Sequence, residues 1–108
     1  MWTVRVSDTA NADFDEILRW TAKRFGKNQA HAYAALTAEA AARLEGGPAI
    51  RGARQRGEIG TGLSTRHVGR RGWHIILFRV SGDQNEAVDV LRILHDAIDL
   101  ARHVPEED

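Results

Sequence analysis

Two arginines and a histidine stand in the most apolar part of this chain. Arg79 interrupts the run Ile75-Ile76-Leu77-Phe78-Arg79-Val80, Arg92 interrupts Val90-Leu91-Arg92-Ile93-Leu94, and His95 follows directly. A charge inside an apolar run is costly unless an anion meets it, so these positions point to a surface built to hold something negative. Guanidinium forks suit phosphate and carboxylate, and an imidazole changes charge near neutral pH. With Glu58 as a conceivable base, the set contains the parts needed to cut RNA through its own 2′-hydroxyl. That chemistry needs a base at the hydroxyl, cations at the scissile phosphate and an acid for the leaving oxygen. The other side chains that could join such a set lie elsewhere. Tyr33, the single tyrosine, falls on the inward stripe of a helix, and both lysines, Lys23 and Lys27, lie far in sequence from the strands. Each residue also has a plainer role: Arg92 pairing with Asp89 or Glu86 across the sheet, His95 closing a strand end against Asp96 or a carbonyl, His74 packing beside Trp73.

Other chemistries are poorly supported. With no cysteine there is no thiolate nucleophile, disulfide framework or cysteine-ligated metal. His31, His67, His74, His95 and His103 lack the close paired spacing of a zinc site. Gly60-Thr61-Gly62 has neither the lysine nor the following helix of a phosphate loop. No metal, cofactor or small-molecule substrate is expected, and no residue is assigned a catalytic role.

Charge is distributed in blocks. Net charge is zero, yet Arg51, Arg54, Arg56, Arg66, Arg70, Arg71 and Arg79 face Glu58 alone over residues 51–80. Residues 81–108 reverse the sign, with Arg92 and Arg102 against eight acids. Such blocks either neutralise one another in the fold or serve different partners. Overall neutrality argues against nucleic-acid binding driven by bulk electrostatics.

The elements that must position these residues are readable from periodicity. Residues 2–6 alternate Trp2, Val4 and Val6 against Thr3 and Arg5, a strand with one buried face. Ser7, Asp8 and Thr9 offer capping oxygens to a helix carrying Ala10, Phe14, Ile17, Leu18, Thr21 and Phe25 at helical spacing, closed by Gly26. Asn28 is the expected cap of a second helix running to about Leu44, with Tyr33, Leu36, Ala40 and Leu44 inward and small alanines beside them. So short a connection makes the pair an antiparallel hairpin. Gly46-Gly47-Pro48 stops it.

Residues 51–62 read mostly as loop. Strands follow at about 63–68, 72–80 and 88–96 as an antiparallel meander, with a short helical turn over 97–102. The middle run is apolar on both alternating sets, so it should lie centrally and be covered on two sides. The fold class is α+β: a helical hairpin on a small, mainly antiparallel sheet, in the order β-α-α-β-β-β, as one domain over residues 1–108. The chain opens on a strand, not a basic stretch leading into an apolar run, and no window approaches the roughly 18 apolar residues of a membrane span. A cytoplasmic protein is the resulting expectation.

Four stretches carry a resemblance over nearly the whole chain: Val6-Ser7 leading to Ala10 and Asp13-Phe14; Trp20 with Phe25-Gly26; Glu58-Ile59-Gly60-Thr61-Gly62-Leu63; and Phe78-Arg79-Val80 with Leu91-Arg92-Ile93-Leu94-His95. In these the chain resembles the RelE/ParE toxin superfamily of type II toxin–antitoxin systems, most closely the ParE branch. The resemblance implies a toxin that inhibits DNA gyrase and is neutralised by a cognate antitoxin, touching operator DNA only through the antitoxin complex. Related branches cut messenger RNA on the ribosome, and a degenerate member would only bind its antitoxin, so fold alone does not decide the activity. The expected target-binding residues are Arg66, Arg70, Arg71, Arg79, Arg92 and His95. Trp2, Trp20 and Phe25 exceed what one buried stripe per helix requires and are the expected antitoxin contacts.

Overall fold

The computed structural model describes residues 2–69, 74–81 and 86–95 of the chain. Strand β1 (Thr3–Val6) is followed by helices α1 (Asp8–Phe25) and α2 (Lys27–Ala42), one 3₁₀ turn (Arg43–Gly46), and strands β2 (Ala53–Gln55), β3 (Leu63–His67), β4 (His74–Ser81) and β5 (Ala87–His95). The sheet order is β1-β5-β4-β3-β2. β1 runs parallel to β5, because the helical hairpin between them carries the chain across the sheet; every other pairing is antiparallel. The expected order holds, with β2 added inside the stretch read as loop. Its three residues, Ala-Arg-Gln, have no apolar alternation, and only pairing with β3 makes them a strand. The helical turn expected over 97–102 lies outside the described residues.

Local chemistry sets the helix ends. Ser7 Oγ accepts from the Ala10 N–H at 3.0 Å and caps α1. Gly26, at φ 94°, returns its N–H to the Ala22 carbonyl at 2.9 Å and lets α2 begin one residue later. Asn28 is therefore not the cap: it already lies inside α2, whose N-cap is Gly26 with no side-chain bond. The inward stripe of α2 also differs from the expected one. Leu36 is 46% exposed while Thr37 is buried, so the stripe runs Ala30, Tyr33, Thr37, Ala40 and Leu44. Thr37 is tolerated there because its hydroxyl donates to the Tyr33 carbonyl at 2.8 Å, as Thr21 donates to Ile17 at 2.7 Å in α1.

The core lies mainly between the hairpin and one face of the sheet, where Ala10, Ala40, Leu44, Ile76, Phe78, Val88, Val90 and Ile93 meet. Ile75 and Leu94 form a second cluster, covered by Ile59. Residues 56–62 make a tight loop, with the Arg56 N–H on the Leu63 carbonyl at 2.8 Å and the Ile59 N–H on the Arg56 carbonyl at 2.9 Å. That loop explains why β4 is apolar on both sides: the second face has its own lid. A bulge changes the register between Leu77, which pairs with Arg92, and Phe78, which pairs with Val90. The extra residue, Leu91, shifts the alternation of β5, so Val88 and Val90 before it and Ile93 after it join the same core.

Candidate functional site

β1 ends at Val6, but β5 runs on to His95, and α1 covers the edge thus left open. The Ser7 N–H donates to the Val90 carbonyl at 3.0 Å, and Ser7 Oγ donates to Leu91 at 3.0 Å. Further along α1, Asp13 Oδ2 accepts from the Ile93 N–H at 3.0 Å. The same carboxylate receives the Arg92 fork, Nε to Oδ2 at 2.8 Å and Nη2 to Oδ1 at 2.9 Å. Arg92 is therefore a positioning residue that fastens β5 to α1. It pairs neither with Asp89 nor with Glu86 among the described residues: its fork is taken by Asp13, and Asp89 is held by Arg5. The bond to Asp13 also holds the guanidinium charged, raising its pKa against the desolvation it suffers.

Beside this clamp, a hollow of about 300 Å³ is lined by Asp13, Glu16, Trp20, His74, Arg92 and His95, among others. His74 and His95 are register partners whose rings meet edge to face at 5.6 Å. His74 is buried, and Tyr33 Oη lies 2.7 Å from its Nδ1, a hydrogen bond that the phenol donates when Nδ1 is unprotonated. Tyr33 is inward, as its spacing implied, but it ties α2 to β4 through a polar contact instead of filling the core as a hydrophobe. His95 is exposed at the outer end of this Tyr33–His74–His95 column.

Arg79 sits elsewhere. Its register partners are Leu63 and Asp89, and Asp89 in turn pairs with Arg5, so Arg79, Asp89 and Arg5 form a row across the sheet. Arg5 grips Asp89 with two bonds, of 2.7 and 3.1 Å. Glu58 lies on the 56–62 loop, held by Arg56 Nε at 2.6 Å. That hydrogen bond holds its carboxyl below the ordinary glutamate range, the wrong direction for a base that should take a proton near neutral pH. Glu58, Arg79, Arg92 and His95 are thus distributed over a loop, a sheet row and a strand end.

Arg66, on β3, reaches under α2. Its Nη1 donates to the Ala40 carbonyl at 3.1 Å, while its Nε is sealed from solvent with no acceptor among the described residues. Burial, and then the neighbouring charge of Arg43, pushes its pKa down. Arg70 and Arg71 lie outside the described residues.

Of the aromatic trio, Trp20 and Phe25 come together at the end of α1. They are 47% and 50% exposed, with rings edge to face at 6.0 Å and Arg24 stacked 5.4 Å over the indole. Trp2 is apart from them. It is half-buried against the main core, its indole close over Gly47, and it precedes the strand residue that pairs with the start of β5. A Cβ on Gly47 would meet its Nε1 at 2.8 Å.

Sequence reasoning missed Asp13 and the Tyr33–His74 bond. A signal existed for Asp13: it stands at i+3 from Ala10 and i−4 from Ile17, on the edge of the buried stripe instead of the wet side. The Tyr33–His74 contact spans 41 residues and leaves no local trace.

A helical hairpin on an open sheet, with its first strand parallel to its last and basic residues spread over the strands, is the architecture of the RelE/ParE class of toxins. Residues 4–100 match the family model of the ParE toxin of the type II toxin–antitoxin system parDE, and the chain belongs to that family. Among solved structures it is similar to one of the chromosomal ParDE toxin–antitoxin system from P. aeruginosa. The two are 22% identical with a TM-score of 0.66, over 88% of this chain and 96% of that one. It is also similar to one of the RelBE2 toxin–antitoxin complex from Mycobacterium tuberculosis, at 26% identity and a TM-score of 0.58, over 87% and 96%. None of the curated proteins searched matches the sequence.

Proposed function

We propose that this toxin acts by binding DNA gyrase and trapping its cleaved-DNA intermediate, and that a cognate antitoxin neutralises it. The observation that carries the reading is the engagement of Arg92. A guanidinium with both contacting nitrogens on Asp13, itself bound to the Ile93 N–H, is part of the scaffold and poorly placed to neutralise a scissile phosphate. Glu58, drawn to Arg56, is a weak base, and the lysines lie on the helical hairpin. On this reading toxicity comes from a surface, for which Arg66, Arg70, Arg71, Arg79 and His95 are the contacts proposed. The neutralising partner is inferred from the family and from the two complexes above, and Trp20 with Phe25 offers it an apolar anchor.

The competing reading, a ribosome-dependent endoribonuclease, draws on one feature: exposed His95 and Trp20 line the same hollow, an acid and a ring on which a base could stack. Expression of the chain without its antitoxin separates the two. Plasmid supercoiling should fail before translation does; translation failing first, with cuts in messenger RNA on the ribosome, would favour the nuclease.

A further inference from the structure

A second hollow, of about 560 Å³, opens between α2 and the strand pair β2–β3, away from β5. Leu36, Glu39, Arg43, Arg51, Gly52 and Arg66 contribute to its wall. We propose that this hollow is a carboxylate pocket that takes an acidic side chain from a peptide partner, while an apolar neighbour of that side chain rests on Leu36.

Three guanidiniums surround the space, and among the described residues Arg43 alone of them is paired with a carboxylate. Arg43 is bound by Glu39 at 2.7 Å on the preceding helical turn. Arg51 is exposed and makes no ion pair among the described residues. Arg66 spans the floor and gives Nη1 to Ala40, with its Nε left without an acceptor. A buried N–H donor of a charged group without an acceptor is rare in a folded protein, and it leaves Arg66 hydrogen-bonded to the Ala40 carbonyl alone among the described residues. Gly52, at φ 92°, brings the chain close over this guanidinium: a Cβ there would lie 3.5 Å from Arg66 Nε and 4.0 Å from Nη2.

The wall also carries an exposed leucine, which a free inorganic anion would not need. Leu36 is turned out of the helical-hairpin core at 46% exposure, on the same helix as Glu39 and ahead of Arg43 in the 3₁₀ turn that follows it. A ligand that satisfies both kinds of wall has an anionic group next to an apolar one, as a Glu-Leu or Asp-Leu step in a peptide does. Nucleic acid would present phosphates to the arginines but nothing aliphatic to Leu36. The inference rests on the antitoxin half of the function proposed above and is independent of what the toxin attacks.

The test uses the purified chain and side-chain NMR of its arginine Nε–H groups. The probes are a short peptide alternating Glu and Leu, its Gln–Leu counterpart, inorganic phosphate and single-stranded oligothymidylate. The Glu–Leu peptide should shift the Arg66 Nε–H resonance saturably and the Gln–Leu peptide should not. Arg51→Gln should weaken Glu–Leu binding about tenfold, the scale of one charge-assisted contact; being exposed, it leaves the fold intact where Arg66→Gln risks losing the bond to Ala40. Equal binding of the two peptides, a response only to phosphate or oligothymidylate, or no response to any probe would each overturn the pocket. None of these readouts involves gyrase or RNA, so the gyrase reading can fail while the pocket stands, and the reverse.

Discussion

At the scale of single residues, Asp13 is the hinge of the structure. One carboxylate answers two N–H groups of a guanidinium and one of the backbone, with 13% of its own side chain and 22% of that of Arg92 exposed. Asp13→Ala leaves both the Arg92 charge and the Ile93 N–H without an acceptor. It should cost about 2–3 kcal/mol, somewhat below the loss expected on breaking a fully buried pair. The midpoint of urea unfolding measures this, and a loss under about 1 kcal/mol would mean that solvent takes over the carboxylate's role. Tyr33→Phe removes the hydrogen bond to buried His74 and should cost about 1–2 kcal/mol by the same measurement. His95→Gln should leave toxicity largely intact, because an exposed ring at the end of the column has no proton to move in a binding toxin. Abolition of toxicity by that change would instead mark His95 as an acid. Residue types were legible in the sequence where local spacing exposes them: Ser7 as a cap, Gly26 as a stop, Tyr33 as inward. Partners were not, since Arg92 finds Asp13 across 79 positions and Tyr33 finds His74 across 41.

Elements were easier to foresee than the way their faces are used. Four of the strands and both helices follow from periodicity, because a buried face forces a period of two or 3.6. β2 was hidden because an edge strand of three residues needs no apolar pattern of its own. The bulge at Leu91 was hidden too: the run Val90-Leu91-Arg92-Ile93-Leu94 is apolar on both sides and cannot show a change of phase. On α2, Leu36 and Thr37 exchange places with expectation because hydrophobicity alone ranks leucine inward. A threonine that bonds its own helix packs against the sheet at little polar cost. The exposed end of α1 follows the same logic of surplus. Trp20 and Phe25 are about half exposed there, so truncating them removes little core. Trp20→Ala should weaken antitoxin binding by about 2 kcal/mol, roughly thirtyfold, with the chain still folded by circular dichroism. Unchanged affinity with both rings truncated would remove this end of α1 from the interface.

The whole molecule turns sequence blocks of charge into geography. β1, contributed from outside the basic block, brings Arg5 to Asp89 of the acidic one. Within the basic block, Arg56 takes the one acid, Glu58. Arg54 lies on the outermost strand and Arg66 beneath α2, so these described arginines of the basic block, with Arg56, lie on the β2–β3 side of the sheet. No described helix is long and apolar enough to cross a membrane. A polarised surface of this kind should set association rates more than final affinity. Reversing Arg70 and Arg71 to Glu should slow target association, and the difference should fade as salt rises, since exposed charges are screened beyond about 8 Å at physiological ionic strength. A loss of folding stability with no change in salt dependence would mean that these arginines serve internal neutralisation.

The central claim, that this family member poisons gyrase by binding and does not cut RNA, is tested most directly with the purified chain, purified gyrase and relaxed plasmid in one reaction, alongside ribosomes carrying a defined messenger. Supercoiling should stop and cleaved plasmid accumulate after denaturation, in wild type and His95→Gln alike, while the messenger stays whole. Intact supercoiling with new ends in the ribosome-bound messenger, lost in His95→Gln, would contradict it.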